Sequence, residues 1–171
     1  MTAASEFSRP LDVRQCEGKQ VHLKASEAER AALSQRFGIV RIDRLEADLI
    51  LSRRDRDVDV KGTLEADIVQ SCAVSAEDLP VSVRETISFR FVPQAENRAP
   101  DEEIELDADA CDEIEYTGSH FDLGEAVAQS VGLAIDPFAT GPDADRARQL
   151  PELSGEAKES PFAALKGLNL K

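Results

Sequence analysis

The sequence is poor in the side chains that most often carry chemistry or stack on bases. It has no tryptophan, one tyrosine and two histidines. Few aromatics argue against a stacking platform for single-stranded nucleic acid. His22 and His120 are the only imidazoles that could serve a hydrolase triad, and neither standard glycine-rich phosphate motif occurs. We therefore expect a protein that is not an enzyme and needs no cofactor.

Long apolar runs are also missing. No stretch approaches the length of a membrane span, and the opening MTAASEFSRPLDVRQ has no basic region followed by an apolar one. Three cysteines, Cys16, Cys72 and Cys111, are odd in number and lie far apart, which is typical of reduced thiols. The sequence predicts a soluble cytoplasmic protein without a membrane partner.

Positive charge is in deficit. The 171 residues include 20 Lys and Arg against 34 Asp and Glu, a formal net charge of -14. Such a field opposes long-range attraction to phosphates. Any contact with RNA would need a local basic patch or a basic partner. The hydrophobic content of 42% is enough for a single core.

The first third of the chain predicts two short strands and a helix. FSRPLDV and QVHLKA are expected to form an opening strand pair. SEAERAALSQRFG then carries a capping box, Ser26 with Glu29 three residues later, and Gly38 as the stop. These signals predict the first helix.

The middle of the chain alternates apolar and polar residues with period two. Three such runs begin at Ile42, Val58 and Val81, separated by SRRDRD and by the cysteine turn after VQS. They predict an antiparallel meander with one buried face. Gly62 interrupts the second run and marks a bulge or a close approach of two backbones.

The rest of the chain completes an α+β fold, a mainly antiparallel sheet of about five to seven strands, open or closed into a barrel, with two principal helices. DEEIELDADACDEIEY predicts two short strands or extended segments with an acidic outer side. FDLGEAVAQSVGLAIDP predicts a second helix, capped by Asp122 with Glu125. We expect one domain over residues 1–138, a flexible polar linker over 139–160 and a short amphipathic helix over 161–171.

The terminal SPFAALKGLNLK places apolar residues on one side of that short helix. The candidate partner-binding residues are Phe162, Leu165 and Leu168. A helix of this length is marginal in water unless it packs against something. It either closes the core of its own domain or docks on another molecule, and we favour the second because of the polar tether before it.

Two surfaces are candidates for binding. Cationic residues cluster around one hairpin and could contact RNA phosphates: Arg41, Arg44, Arg53, Arg54, Arg56 and Lys61. The competing interpretation is a hairpin whose arginines pair with Asp55, Asp57 and Asp59. The acidic run from Asp101 to Glu115 could instead contact a basic protein partner. It lacks the glycine and spacing of a calcium loop.

The order of three segments resembles the bacterial YceD-type large ribosomal RNA subunit accumulation proteins. These are VKGTLEADIVQSC, FDLGEAVAQSVGLAIDPF and PFAALKGL, and EFSRPLDV and IVQSC are closest to the alphaproteobacterial branch. The resemblance implies a non-enzymatic role in accumulation or processing of large-subunit ribosomal RNA and in ribosome assembly, through RNA, a ribosomal protein or both. An acidic protein-binding module unrelated to RNA is the alternative.

Many members of that family carry C-x-x-C at the hairpin turn and a later cysteine, a set that implies a metal clip. Here Cys72 keeps the first position, Ser75 replaces the second, and GPDADRA stands where the later cysteine would fall. A serine hydroxyl is a poor zinc ligand because it is not ionised at neutral pH. We predict that Cys72 is a free, half-buried thiol, the remnant of a clip, and that no metal binds.

Overall fold

A computed structural model describes residues 5–94 and 112–150 of the chain. This part divides into two compact units. The first is built from residues 5–70, 80–94 and 112–136, and the second from residues 71–79 and 137–150. The second unit therefore combines the cysteine turn with the segment that follows the second long helix.

Seven strands occur in the described residues, in two sheets. They are β1 (Pro10–Asp12), β2 (Gln20–Lys24), β3 (Arg41–Arg54), β4 (Asp57–Ser71), β5 (Asp78–Pro93), β6 (Asp112–Tyr116) and β7 (His120–Asp122). The larger sheet has the order β2-β3-β4-β5-β6, and β1 pairs with β7 in a separate ribbon. The helices are α1 (Glu27–Phe37), α2 (Leu123–Ala134) and α3 (Ala144–Arg148). The predicted α+β class is confirmed, and the five-stranded sheet is open, with β2 and β6 at its edges.

The predicted opening pair is wrong. β1 pairs with β7, and β2 pairs with β3 in antiparallel register from Gln20↔Ile50 to Lys24↔Glu46. A short 3-10 turn, Val13–Gln15, separates the two strands, and the Asp12 side chain caps it by accepting the Arg14 N–H. Alternation of apolar residues specifies which face of a strand is buried but not which strand lies beside it.

Both principal helices begin where their caps predict. Ser26 and Glu29 form the complete capping box of α1, and Gly38 ends the helix in the left-handed conformation, φ 65°. Asp122 caps α2 by accepting the Glu125 N–H. The capping side chains fix the first residue of each helix, and the apolar residues that follow form its buried face.

The meander is confirmed as β3, β4 and β5, with the apolar phase turned inward. Gly62 is a close-approach site, because a Cβ there would overlap the carbonyl oxygen of Asp48 on β3. The irregularity in register lies elsewhere, between Ile42 and Arg44. Departing from the antiparallel expectation, β6 pairs with β5 in parallel.

One face of the sheet carries the core. The inward residues of β3, β4 and β5 pack with Leu33 of α1 and with the apolar side of α2. Phe91 stacks on Phe121 with ring centroids 4.0 Å apart, and Phe89 meets Phe91 edge to face. The helices therefore cover the inner face.

The structure describes part of the predicted linker but not the predicted C-terminal helix. The segment predicted as a flexible linker contains α3, whose Ala144 and Ala147 are buried. The prediction rested on large apolar residues, and alanine, which favours helices, was not counted among them. The predicted helix over 161–171 and the earlier acidic strand lie outside the described residues. No helix among the described residues is long and apolar enough to span a membrane.

Candidate functional site

The cationic residues predicted to contact RNA lie along β3, its turn and β4, and carboxylates engage several of them. Arg44 on the outer face forms ion pairs with Glu65, with Asp67 at 3.0 Å and with Glu46 at 3.4 Å. These carboxylates raise the pKa of Arg44, the hydrogen bond to Glu65 contributing most. Phosphate would have to compete with three neighbouring acids for this guanidinium.

The turn between β3 and β4 is a mixture of engaged and exposed cations. Arg54 pairs with Asp59 at 3.3 Å. Arg53 donates from Nε to the carbonyl of Asp55 at 2.8 Å. Arg56 and Lys61 are exposed and form no ion pair with a described carboxylate. The structure thus brings the turn arginines together without leaving a continuous cationic surface.

Arg41, the remaining member of the predicted set, lies at the start of β3 and pairs with Asp43 at 3.0 Å. On β5, Arg90 pairs with Asp59 at 2.7 Å, the carboxylate that also holds Arg54. Asp59 is therefore shared by two arginines, and the outer face is a lattice of alternating charges. These ion pairs neutralise the potential that would attract phosphate.

The aromatic residues of β5 are unavailable for base stacking. Phe89 and Phe91 are 4% and 2% exposed, as their phase in the sequence predicts. The acidic run is visible only at its end, where Asp112, Glu113 and Glu115 of β6 are exposed. The partner-binding candidates Phe162, Leu165 and Leu168 lie outside the described residues.

Cys72 sits in the second unit, at the turn after β4, and is 4% exposed, so it is buried more deeply than predicted. Its Sγ accepts the N–H of Gly141 at 3.3 Å and the N–H of Ser75 at 3.4 Å. The Gly141 hydrogen bond, followed by those from Ser75 and Val74, lowers the pKa of this thiol to about 6. The sulfur is an acceptor at the centre of converging backbone amides.

The described surroundings of Cys72 do not supply the ligand set that a zinc ion needs. The groups that contact its Sγ are backbone N–H donors, which stabilise a thiolate but do not themselves bind a metal ion. In residues 5–94 and 112–150 no group of three His, Cys, Asp or Glu side chains could hold a metal ion. Gly141, whose N–H reaches this sulfur, lies within GPDADRA, the segment where the family resemblance implies a further cysteine.

A serine, a histidine and an aspartate meet at β7 without forming a catalytic arrangement. Ser119 Oγ lies 3.0 Å from Nδ1 of His120, and Nε2 of His120 lies 3.9 Å from Asp12 Oδ2. The aspartate is beyond hydrogen-bonding distance, and the His120 side chain is 60% exposed. A triad requires the carboxylate to fix the imidazole and a shielded oxyanion site, so this set has the residue types but not the geometry.

A groove on the outer face was not predicted from the sequence. Its volume is about 470 Å³, and its lining is formed by Gln20, Val21, His22, Asp48, Leu49, Ile50, Gly62 and Thr63. Ile50 is 57% exposed in it, and Nδ1 of His22 lies 2.8 Å from Asp48 Oδ1. The one signal in the sequence was Ile50, an apolar residue in the polar phase of β3.

The fold defines an α+β protein with an open, mainly antiparallel sheet covered by helices on one face. Residues 60–169 match the family model described as large ribosomal RNA subunit accumulation protein YceD. Because the match covers more than half of the chain, the protein belongs to the YceD family. No curated protein and no solved structure matches the chain.

Proposed function

We propose that this protein is a non-enzymatic cytoplasmic factor that supports accumulation of large-subunit ribosomal RNA by binding a basic protein of the assembling subunit. Family membership supports the ribosomal part of this proposal. The observation that favours a protein partner over direct RNA contact is the engagement of Arg44 by three carboxylates and of Arg54 and Arg90 by Asp59.

Charge gives the physical argument. A net charge of -14 attracts cationic partners over several ångströms and repels phosphate. Nucleic acid binding needs Lys and Arg side chains that release counterions from the phosphates, and here Arg44, Arg54 and Arg90 already have carboxylate partners. Ribosomal proteins that must be kept from premature contact with RNA are cationic, so an acidic factor can shield them until RNA is available.

The experiment that tests the ribosomal role is depletion of the protein, followed by comparison of precursor and mature large-subunit RNA with small-subunit RNA. The proposal expects large-subunit RNA to fall relative to small-subunit RNA. An equal loss of both, or no change, would contradict it and favour an acidic module unrelated to RNA.

Complementation separates the two binding modes. Reversal of Arg53, Arg54 and Arg56 to Glu should leave large-subunit RNA near normal, whereas neutralising Asp112, Glu113 and Glu115 to their amides should lower it. Each variant changes three residues, none of which is buried, so a general loss of stability is not expected in either. The opposite result, with RNA affinity lost in the arginine variant and a steep salt dependence, would establish direct RNA binding.

A further inference from the structure

The edge of the larger sheet at β2 has backbone groups that face away from β3. The Leu51 N–H donates to the Lys19 carbonyl, and the Ala25 N–H donates to the Leu45 carbonyl. In an antiparallel pair such hydrogen-bonded positions alternate, so the odd-numbered residues of this strand face β3. The N–H and C=O groups of Gln20 and His22 therefore point outward.

Among the described residues no backbone group pairs with those outward positions, since β2 has β3 as its one neighbour in the sheet. The edge is short. At its far end Nη2 of Arg9 reaches the Lys24 carbonyl at 3.4 Å, which leaves Gln20 and His22 as the open part. Unpaired backbone donors and acceptors with this spacing can pair with the backbone of an extended polypeptide.

The groove around Ile50 lies directly beside this edge, because Gln20 and Ile50 are opposite each other in the register. Asp48 is the one lining residue with a formal charge at pH 7, and its side chain is 72% exposed. Lys61, opposite Ile50 on β4, is the nearest cation in register. An apolar side chain would cover Ile50, and a cationic one would meet Asp48.

We propose that an extended cationic segment of a protein partner binds at β2 as an added strand, with one apolar side chain in the groove at Ile50. The identity of the partner rests on the proposed function, whereas the edge and the groove do not. A second copy of this chain is the poorer occupant because two molecules of charge -14 repel each other.

The test uses the full-length protein labelled with ¹⁵N and a synthetic heptapeptide of alternating lysine and valine. The control peptide replaces each lysine by glutamate. The proposal expects saturable amide shifts at Gln20 and His22 with the lysine peptide and none with the glutamate peptide. Equal shifts with both peptides, shifts confined to the Arg53–Arg56 turn, or no binding at millimolar peptide would overturn it.

Three variants test whether the peptide binds at the edge strand β2. His22→Pro removes an N–H that points away from β3, so the sheet tolerates it while affinity falls about tenfold. Asp48→Asn should weaken binding about two- to fivefold, and Lys61→Glu should strengthen it by a similar factor. Because the last two variants change single exposed side chains, they keep the test valid if the proline variant does not fold.

Two further outcomes would contradict the proposal. Concentration-dependent shifts at Gln20 and His22 without peptide would make the edge a site for a second copy. The same shifts produced by a single-stranded RNA would assign it to nucleic acid. Failure at this edge is distinguishable from failure of the proposed function, since depletion would still lower large-subunit RNA if the partner binds elsewhere.

Discussion

The two faces of the strands β3 and β4 are built on different physics. Inward, Leu49, Leu51, Val58 and Val60 are at most 2% exposed, and Gly62 lets the backbones approach closely. Outward, the same strands present charges that pair across the register. Burial of apolar area stabilises by about 25 cal/mol per Å², whereas exposed ion pairs contribute about 0–1 kcal/mol. Stability resides on the inner face, and the outer face is free to vary with function.

The sharpest way to break this comparison is Gly62→Ala. The added Cβ would overlap the Asp48 carbonyl oxygen, which belongs to backbone and cannot move aside as a side chain could. We expect a loss of about 2–3 kcal/mol in the free energy of unfolding, measured by urea denaturation. The matched control is the exposed neighbour Thr63→Ala, with a change of about 0.5 kcal/mol or less. Equal effects would mean that β3 and β4 can separate without cost.

An intermediate effect is expected where charges bridge the N-terminal segment and the two long helices. Arg36 pairs with Glu125 at 2.7 Å and with Glu6 at 3.0 Å, and the side chains of Arg36 and Glu125 are 32% and 25% exposed. The hydrogen bond from Arg36 is the main cause that lowers the pKa of Glu125 to about 2. A carboxyl group with a lowered folded-state pKa stabilises above its unfolded value, near 4.5, and that contribution is lost as the pH falls towards about 2.

The stability of the wild-type protein should therefore drop between about pH 4.5 and pH 2, and Glu125→Gln should remove about 1 kcal/mol of that drop. The measurement is the urea midpoint at pH 6 and at pH 3 in both proteins. Arg9 with Glu29, whose pKa is also lowered to about 2, remains in the variant and accounts for a residual slope. A variant with the full wild-type slope would show that the Arg36–Glu125 pair does not stabilise the fold.

Local signals in the sequence predicted most of the elements, whereas the pairing of the first strand and the short helix α3 were missed. Ser26 with Glu29 and Asp122 with Glu125 act within one turn of helix, so four residues suffice to predict each start. The pairing of β1 with β7 joins Pro10 to Asp122, and no local rule reaches across that separation. The groove at Ile50 depends in the same way on Gly62 and Gln20 arriving from different strands. The buried Ala144 and Ala147 were missed because alanine carries little apolar signal.

For the candidate site, too, the sequence indicated the residues but not the contacts they make with distant parts of the chain. The sequence identified the arginines of one hairpin but not their carboxylate partners, because Arg44 is held mainly by Glu65 and Asp67 on the neighbouring strand. The position of Cys72 at a turn was predictable, since small polar residues follow it. The Gly141 N–H that reaches its sulfur comes from a segment 69 residues further along the chain, and nothing near Cys72 in the sequence indicates it.

The smallest effect is expected on the outer face, from Arg44→Gln. This change removes three ion pairs at once, yet the Arg44 side chain is 36% exposed and water replaces much of what is lost. Glu46 and Glu65 stand directly opposite each other in the register, so without the guanidinium their charges repel.

We expect Tm of the Arg44→Gln variant to fall by no more than about 2 °C at low salt. The difference from wild type should shrink in 0.5 M NaCl because salt screens that repulsion. Arg44→Lys keeps the charge and should restore most of the loss. A fall as large as that of Gly62→Ala would show that the charged lattice, and not the inner face alone, holds the sheet together.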